Sequence, residues 1–264
     1  MQRYELLGDS LLIEILDRIA TVTLNRPKQM NALSRELRNN LLTALRDLNG
    51  DETVDVIIIT GAEEKAFSAG IDLKELETVP LQREEMGVDC PVMQAFEALQ
   101  KPTIAAINGY AVAGGFELAI NCDILVASTN ARFADTHARV GVMPAWGMTQ
   151  YLAMLIGPVR ARYLSFTGNY INAATAKNWG LVLDVVPPEE LLAYCRKVAQ
   201  DMLSCDPETL NAVRAAMRVG LHQTLQQGLV VEAGLAKDCL LRFDAASFGR
   251  TRQMVISRGK NQVA

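Results

Sequence analysis

Two stretches decide how this chain is read: AFSAGIDLKEL at residues 66–76 and INGYAVAGGFELAINCD at residues 107–123. In each, an apolar run gives way to small residues and glycine just before a helical pattern begins. The first N–H groups of a helix have no partner inside it and lie at the positive end of its dipole. Two such ends facing each other can hold a developing oxyanion, and glycine lets a ligand approach the backbone closely.

Outward from these stretches the pattern is α/β. Leu11 to Leu16 and Ile19 to Leu24 read as two strands joined by a tight turn at Asp17-Arg18. Ser34 is placed to cap a helix carrying Leu37, Leu41, Leu45 and Leu48 at helical spacing, with Asn49-Gly50 as its expected stop. Val54 to Thr60 (VDVIIIT) is too apolar to alternate, as expected of a strand buried on both faces, and Thr103 to Ile107 and Ile124 to Ser128 repeat that character. Gly109 to Ala119 reads as a loop running into a helix. Strand-to-loop-to-helix units of this kind put ligand-binding loops at the carboxyl ends of parallel strands. Beyond Pro158 the pattern turns helical, over Val159 to Thr167, Glu189 to Met202 and Pro207 to Leu221, with Leu181 to Val186 as one further strand. No low-complexity linker or fixed-period repeat interrupts the chain.

At 264 residues and 50% hydrophobic content the chain can bury a large core. A net charge of −4 supplies no general attraction for nucleic acid or anionic membrane, so neither is expected as a partner. The five cysteines are widely spaced and include no C-x-x-C pair, which suggests neither a disulfide framework nor a zinc site. No apolar run approaches a membrane span, and the first eight residues lack a basic start followed by an apolar core. A cytoplasmic location is the expectation.

With LNRPKQMNALS (Leu24 to Ser34) upstream, AFSAGIDLKEL and then NGYAVAGGFELA in that order resemble the enoyl-CoA hydratase/isomerase, or crotonase, family through nearly the whole chain. The resemblance implies a spiral of ββα units over residues 1–200 and a helical oligomerisation region over 201–264, in a homotrimer or dimer of trimers. It also implies an acyl-CoA thioester substrate whose carbonyl is held by the backbone N–H groups of Ile71 and Gly114. Ala66, Ser68, Ala69, Gly70, Asp72, Leu73 and Lys74 then form the region that binds substrate and coenzyme A. Ser68 is read as structural, and Asp72 as the cap of the helix that follows.

Glu117 lies one turn beyond Gly114, among the apolar neighbours Phe116, Leu118, Ala119 and Ile120, where a buried carboxylate is expected. It matches one of the two catalytic glutamates of hydratases. The other position is a departure: in RFADTHARVGVMP (residues 132–144) it holds His137, which can give or take a proton near neutrality. A structural His137, hydrogen-bonded to Asp135 or Glu117, is the alternative. Trp146, in PAWGMTQ (residues 144–150), is expected to line the acyl pocket, whereas His222 has no motif around it.

The activity implied is hydration of a 2-enoyl-CoA by Glu117 and His137, with no cofactor beyond the coenzyme A of the substrate and no metal. Isomerisation by Glu117 alone and a non-catalytic acyl-CoA-binding role are the two alternatives.

Overall fold

The structure, a computed structural model, describes residues 2–4, 8–87, 89–243 and 245–263. In chain order its elements begin with β1 (Gln2–Tyr4), β2 (Leu11–Leu16), β3 (Ile19–Leu24), α1 (Arg35–Gly50), β4 (Val56–Gly61), β5 (Ala66–Ser68), α2 (Leu73–Leu76) and α3 (Pro91–Ala98). They continue with β6 (Thr103–Ile107), β7 (Tyr110–Val112), α4 (Gly114–Ile120), β8 (Ile124–Ser128), β9 (Arg132–Ala134), α5 (His137–Val140), α6 (Met148–Ile156) and α7 (Pro158–Thr167). Then come β10 (Ile171–Asn172), α8 (Ala173–Trp179), β11 (Asp184–Val186), α9 (Leu191–Leu203), α10 (Pro207–His222), α11 (Leu225–Leu240) and α12 (Ala245–Val263). The chain divides into two compact units, residues 1–204 and 205–264. Among the described residues no helix is long and apolar enough to cross a membrane.

The first unit holds two sheets. The larger runs β1-β2-β3-β4-β6-β8-β11, antiparallel through β3 and parallel beyond it, and the smaller runs β10-β9-β7-β5. Every residue of β4 is buried because both faces of the larger sheet are covered: Ile57 and Ile59 join the core beneath α1 and α3, while Val56 and Ile58 face Leu191, Cys195 and Ala199 of α9. Each turn of the spiral pairs a long strand of the large sheet with a short one of the small sheet and then a helix: β4-β5-α2, β6-β7-α4 and β8-β9-α5.

Several local expectations shift. Ser34 caps α1 through the Leu37 N–H, but the helix runs through Asn49-Gly50 to a cap at Asp51. Asn49 is held in place by its Nδ2 donating to Ala98 O and its Oδ1 accepting from Gln100 N. β4 begins at Val56 because Val54 closes a turn onto Asp51 O. Of the stretch Leu181 to Val186 only β11 is strand, since Leu181 still closes α8 around left-handed Gly180. Residues 110–112, read as loop, form β7. Strands of two or three residues carry too little periodicity to be seen in sequence. His222 ends α10, and its side chain lies outside the described residues.

The loop after α2 is tied to α1 by charge. Arg35 bonds both oxygens of Glu85, at 2.8 and 2.9 Å, and Arg38 reaches the same carboxylate at 2.6 Å. The Arg35 hydrogen bond, aided by the Gln82 N–H and Arg38 and opposed by burial, holds Glu85 at about 2. A carboxylate depressed below its unfolded value stabilises the fold above that unfolded value, and the contribution fades as pH falls through the folded one. Glu85→Gln is therefore expected to lower the melting temperature at pH 7. The gap to wild type should shrink steadily between pH 5 and pH 3 in a thermal-shift series, and a gap independent of pH would contradict the assignment.

Candidate active site

The site is built where the short strands β5 and β7 end. Leu33 N donates to Gly70 O at 2.8 Å and Ala69 N to Met30 O at 3.0 Å, so the segment 30–33 braces the end of AFSAG. Asn31 Nδ2 and Asn108 Nδ2 both donate to Ala66 O, at 2.7 and 3.0 Å. Arg26 spans Ala32 O at 2.7 Å and the Asp72 carboxylate at 2.8 Å. Burial alone would raise Asp72, but the Arg26 bond and the N–H groups of Glu75 and Lys74 outweigh it and hold the carboxyl below its ordinary range. Asp72 caps α2 as the sequence suggests. The upstream LNRPKQMNALS stretch is thus the scaffold of the first glycine segment.

The two glycine segments touch. A Cβ at Gly115 would stand 2.3 Å from Ser68 O. One at Gly70, whose φ is +88°, would stand 2.9 Å from Val112 O and 3.1 Å from Gly114 N. At Gly114 the nearest atoms would be Ile71 Cγ1 and Ile71 N, both at 3.7 Å. The backbones at Ile71 and Gly114 therefore lie close together. Ala113 enters α4 with φ +47° and ψ −121°, a conformation that strains an alanine by roughly 1–3 kcal/mol.

Glu117, buried at 3% exposure, has each oxygen assigned. Oε1 accepts from the backbone N–H of Trp146 at 2.7 Å and of Met148 at 3.3 Å, at the N-terminus of α6, where a negative charge is favoured. Oε2 faces His137 Nε2 at 3.4 Å. The other ring nitrogen, Nδ1, lies 2.7 Å from Asp135 Oδ1. Burial works against a charged ring, but the Asp135 hydrogen bond, followed by the Glu117 carboxylate, overcomes it and pushes His137 up to about 9. Asp135 is likewise pulled below its ordinary range by His137 and by the Ser165 hydroxyl, against burial. Asp135, His137 and Glu117 thus occupy one buried cluster.

Of the residues marked in sequence, Gly70, Ile71, Gly114, Glu117 and His137 come together here. Trp146 is 3% exposed, and its clear link to the site is its backbone N–H on Glu117. Ala66 and Ser68 are buried, with Ala66 O engaged by the two asparagines and Ser68 Oγ accepting from Gly70 N. Ala69 is half-buried, and Leu73 and Lys74 are exposed. The sequence reading gave no role to the α6 N-terminus or to Asp135 and Ser165 as a unit. An acid two residues before a histidine, at the end of a short strand, is the only local signal for that pair.

Two glycine segments in backbone contact stand beside a buried Glu117–His137–Asp135 cluster on stacked ββα turns, an arrangement of an enzyme site. The enoyl-CoA hydratase/isomerase family model matches residues 14–254, and the chain belongs to that family. It is 36% identical over 244 residues to a probable peroxisomal enoyl-CoA hydratase of Arabidopsis thaliana, covering 92% of this chain and 91% of that one. A crotonyl-CoA hydratase of Syntrophomonas wolfei is 36% identical over 85% of this chain and 87% of its own length. Among solved structures, an enoyl-CoA hydratase from Mycobacterium tuberculosis superposes with a TM-score of 0.74 at 42% identity, covering 87% of this chain and 98% of that chain. A monofunctional enoyl-CoA isomerase from M. smegmatis gives 0.72 at 32% identity, over 84% of this chain and 98% of that chain.

The contact between glycine segments separates folding from function. Gly70→Ala and Gly115→Ala are expected to lower the melting temperature severely, because backbone has to move to admit a methyl group. Gly114→Ala is expected to fold with a melting temperature near wild type. Ala113→Gly should stabilise by about 1 kcal/mol, as relief of strain exceeds the added flexibility of the unfolded chain. Thermal or urea unfolding of the four variants checks the ranking, and a Gly115→Ala protein as stable as Gly114→Ala would overturn it.

Proposed function

We propose that the protein is an enoyl-CoA hydratase that adds water across the double bond of a 2-enoyl-CoA. The observation that carries this is the Glu117–His137 pair, base and acid 3.4 Å apart, held one helical turn beyond the paired Ile71 and Gly114 N–H groups. Relatives named as hydratases, matched over most of their length, support the same reading.

In the proposed reaction the thioester oxygen accepts from the Ile71 and Gly114 N–H groups. Glu117 Oε2 takes a proton from water as the water oxygen bonds to C3. The displaced π electrons pass to the thioester oxygen as an enolate, and the two N–H groups stabilise the charge where it develops; loss of one such donor typically costs about 3 kcal/mol of barrier. His137 Nε2–H then protonates C2 as the enolate collapses, and Glu117 returns its proton to the imidazole. The addition moves protons and changes no oxidation state overall, so no cofactor is proposed beyond the coenzyme A of the substrate.

A site with two carboxylic groups can supply a proton only if one of them is kept protonated. Here the imidazolium fills that role, with Glu117 left free to act as base. Substrate contact is proposed for Ala69 to Lys74, on the rim of the first segment, with Ala66 and Ser68 supporting it from inside.

Isomerisation of the double bond is the second reading, favoured by the isomerase among the structural neighbours and by a Glu117 oxygen left free of backbone donors. Labelled water separates the two. Hydration places heavy oxygen at C3 of the product, and isomerisation alone places none.

For the hydratase, Glu117→Gln is expected to lower kcat by about 10²–10⁴-fold with little change in KM. The rate of the wild type should hold below pH 9 and fall above it, since the acid is the charged ring and its value lies at about 9. Loss of enoyl-thioester absorbance across a pH series measures both. Full activity in Glu117→Gln would contradict the proposal.

A cytoplasmic homotrimer, alone or as a dimer of trimers, is proposed as the working form. The second unit supports this: α10, α11 and α12 leave a groove of about 980 Å³ lined by Val213, Met217, Leu225, Leu229 and Phe248, and Met217 is 70% exposed. Met217→Asp combined with Leu229→Asp is expected to shift the mass in solution from a multiple of three to one chain in sedimentation equilibrium. A monomeric wild type would overturn it.

A further inference from the structure

We propose that Asp135 is the positioning residue that makes His137 the acid of the reaction, by holding its Nδ1–H and so aiming its Nε2–H at Glu117 and at C2 of the substrate. This rests on the hydratase reading and adds to it a residue outside the pair that touches substrate.

The geometry is specific. Asp135 is 1% exposed and sits in the turn between β9 and α5. Its Oδ1 receives the ring Nδ1–H at 2.7 Å and the backbone N–H of the same histidine at 3.3 Å, so ring and main chain are fixed by one atom. From α7 the Ser165 hydroxyl donates to the carboxylate and holds it in turn. A ring fixed through Nδ1 has one orientation left for Nε2, and that nitrogen faces Glu117. The charged groups acting on the ring are Asp135 from the β9–α5 turn and Glu117 from α4, whereas α7 supplies the uncharged Ser165.

The arrangement solves a particular difficulty. A histidine buried without a partner prefers to be neutral, and a neutral imidazole opposite Glu117 is a second base with no acid. A second carboxylate on the far side of the ring restores the charged form and fixes which face delivers the proton. A carboxylate that only shaped the entry to α5 would instead affect stability and leave the proton chemistry of the ring alone.

The test is Asp135→Asn, with Ser165→Ala as the milder variant, read by imidazole nitrogen NMR and by pH–rate profiles. The chain has two histidines, so His137→Gln assigns the signals. In wild type both ring nitrogens of His137 are expected to stay protonated through neutral pH. In Asp135→Asn the titration and the alkaline limb of kcat should both move down by about 1–3 pH units, the usual reach of an adjacent carboxylate. Ser165→Ala should move them in the same direction by less. Activity of Asp135→Asn should recover as pH falls, with KM changed less than about twofold.

An unmoved titration in both variants, or a wild-type ring that titrates near its ordinary value, would overturn the proposal, and the wild-type arm decides it even if Asp135→Asn fails to fold. A ring held charged by Asp135 in a protein that hydrates no enoyl-CoA would sustain the Asp135–His137 coupling and overturn the hydratase reading alone.

Discussion

The constraint on which the rest depends is the contact of two backbones at Gly70–Gly114 and Ser68–Gly115, where no Cβ fits at positions 70 and 115. That approach brings the backbones at Ile71 and Gly114 close together, and it goes with the short strands β5 and β7 lying next to each other in the smaller sheet. The long parallel strands supply the force that closes it. β4 and β6 are buried along their whole length between two apolar layers, so the loops that leave them are held to a narrow set of positions. Polar groups finish the placement: Asn31 and Asn108 converge on Ala66 O, and Arg26 holds Asp72 beneath the start of α2.

Charge governs the other half of the site. Burying Glu117, His137 and Asp135 together is costly unless each finds partners. Each does. Glu117 is met by the N–H groups that open α6, Asp135 by Ser165 and His137, and His137 by both carboxylates. The cluster is therefore supported by four helices, α4 through α7, and its protonation state follows from that support. In the proposed reaction, the capacity of His137 to deliver a proton depends on the second carboxylate, Asp135, that accompanies it.

Much of this was legible in the sequence. The largely apolar run Val54 to Thr60, the leucines of α1 and the ordered glycine segments point to the α/β architecture, because burial on two faces and helical spacing leave strong marks in sequence. Glu117 among Phe116, Leu118 and Ala119 announced a buried carboxylate. The short strands were not legible, since two or three residues carry no period, and residues 110–112 read as loop. Nor was the bond from the Trp146 N–H to Glu117. Any residue can donate from its backbone, so the identity of tryptophan at that position says nothing of it. The Asp135–His137 pair lay in plain view but acquires meaning only once α7 brings Ser165 behind it.

The proposed reaction needs a thioester oxygen held by the Ile71 and Gly114 N–H groups with the reacting carbons between Glu117 and His137. A crystal structure with a bound 3-ketoacyl-CoA, whose enolate resembles the intermediate, tests this most directly. The thioester oxygen is expected within hydrogen-bonding distance of both N–H groups, with C2 and C3 facing the carboxylate and the imidazole. A thioester bound with its oxygen away from Gly114, or with its acyl carbons out of reach of both side chains, would contradict it.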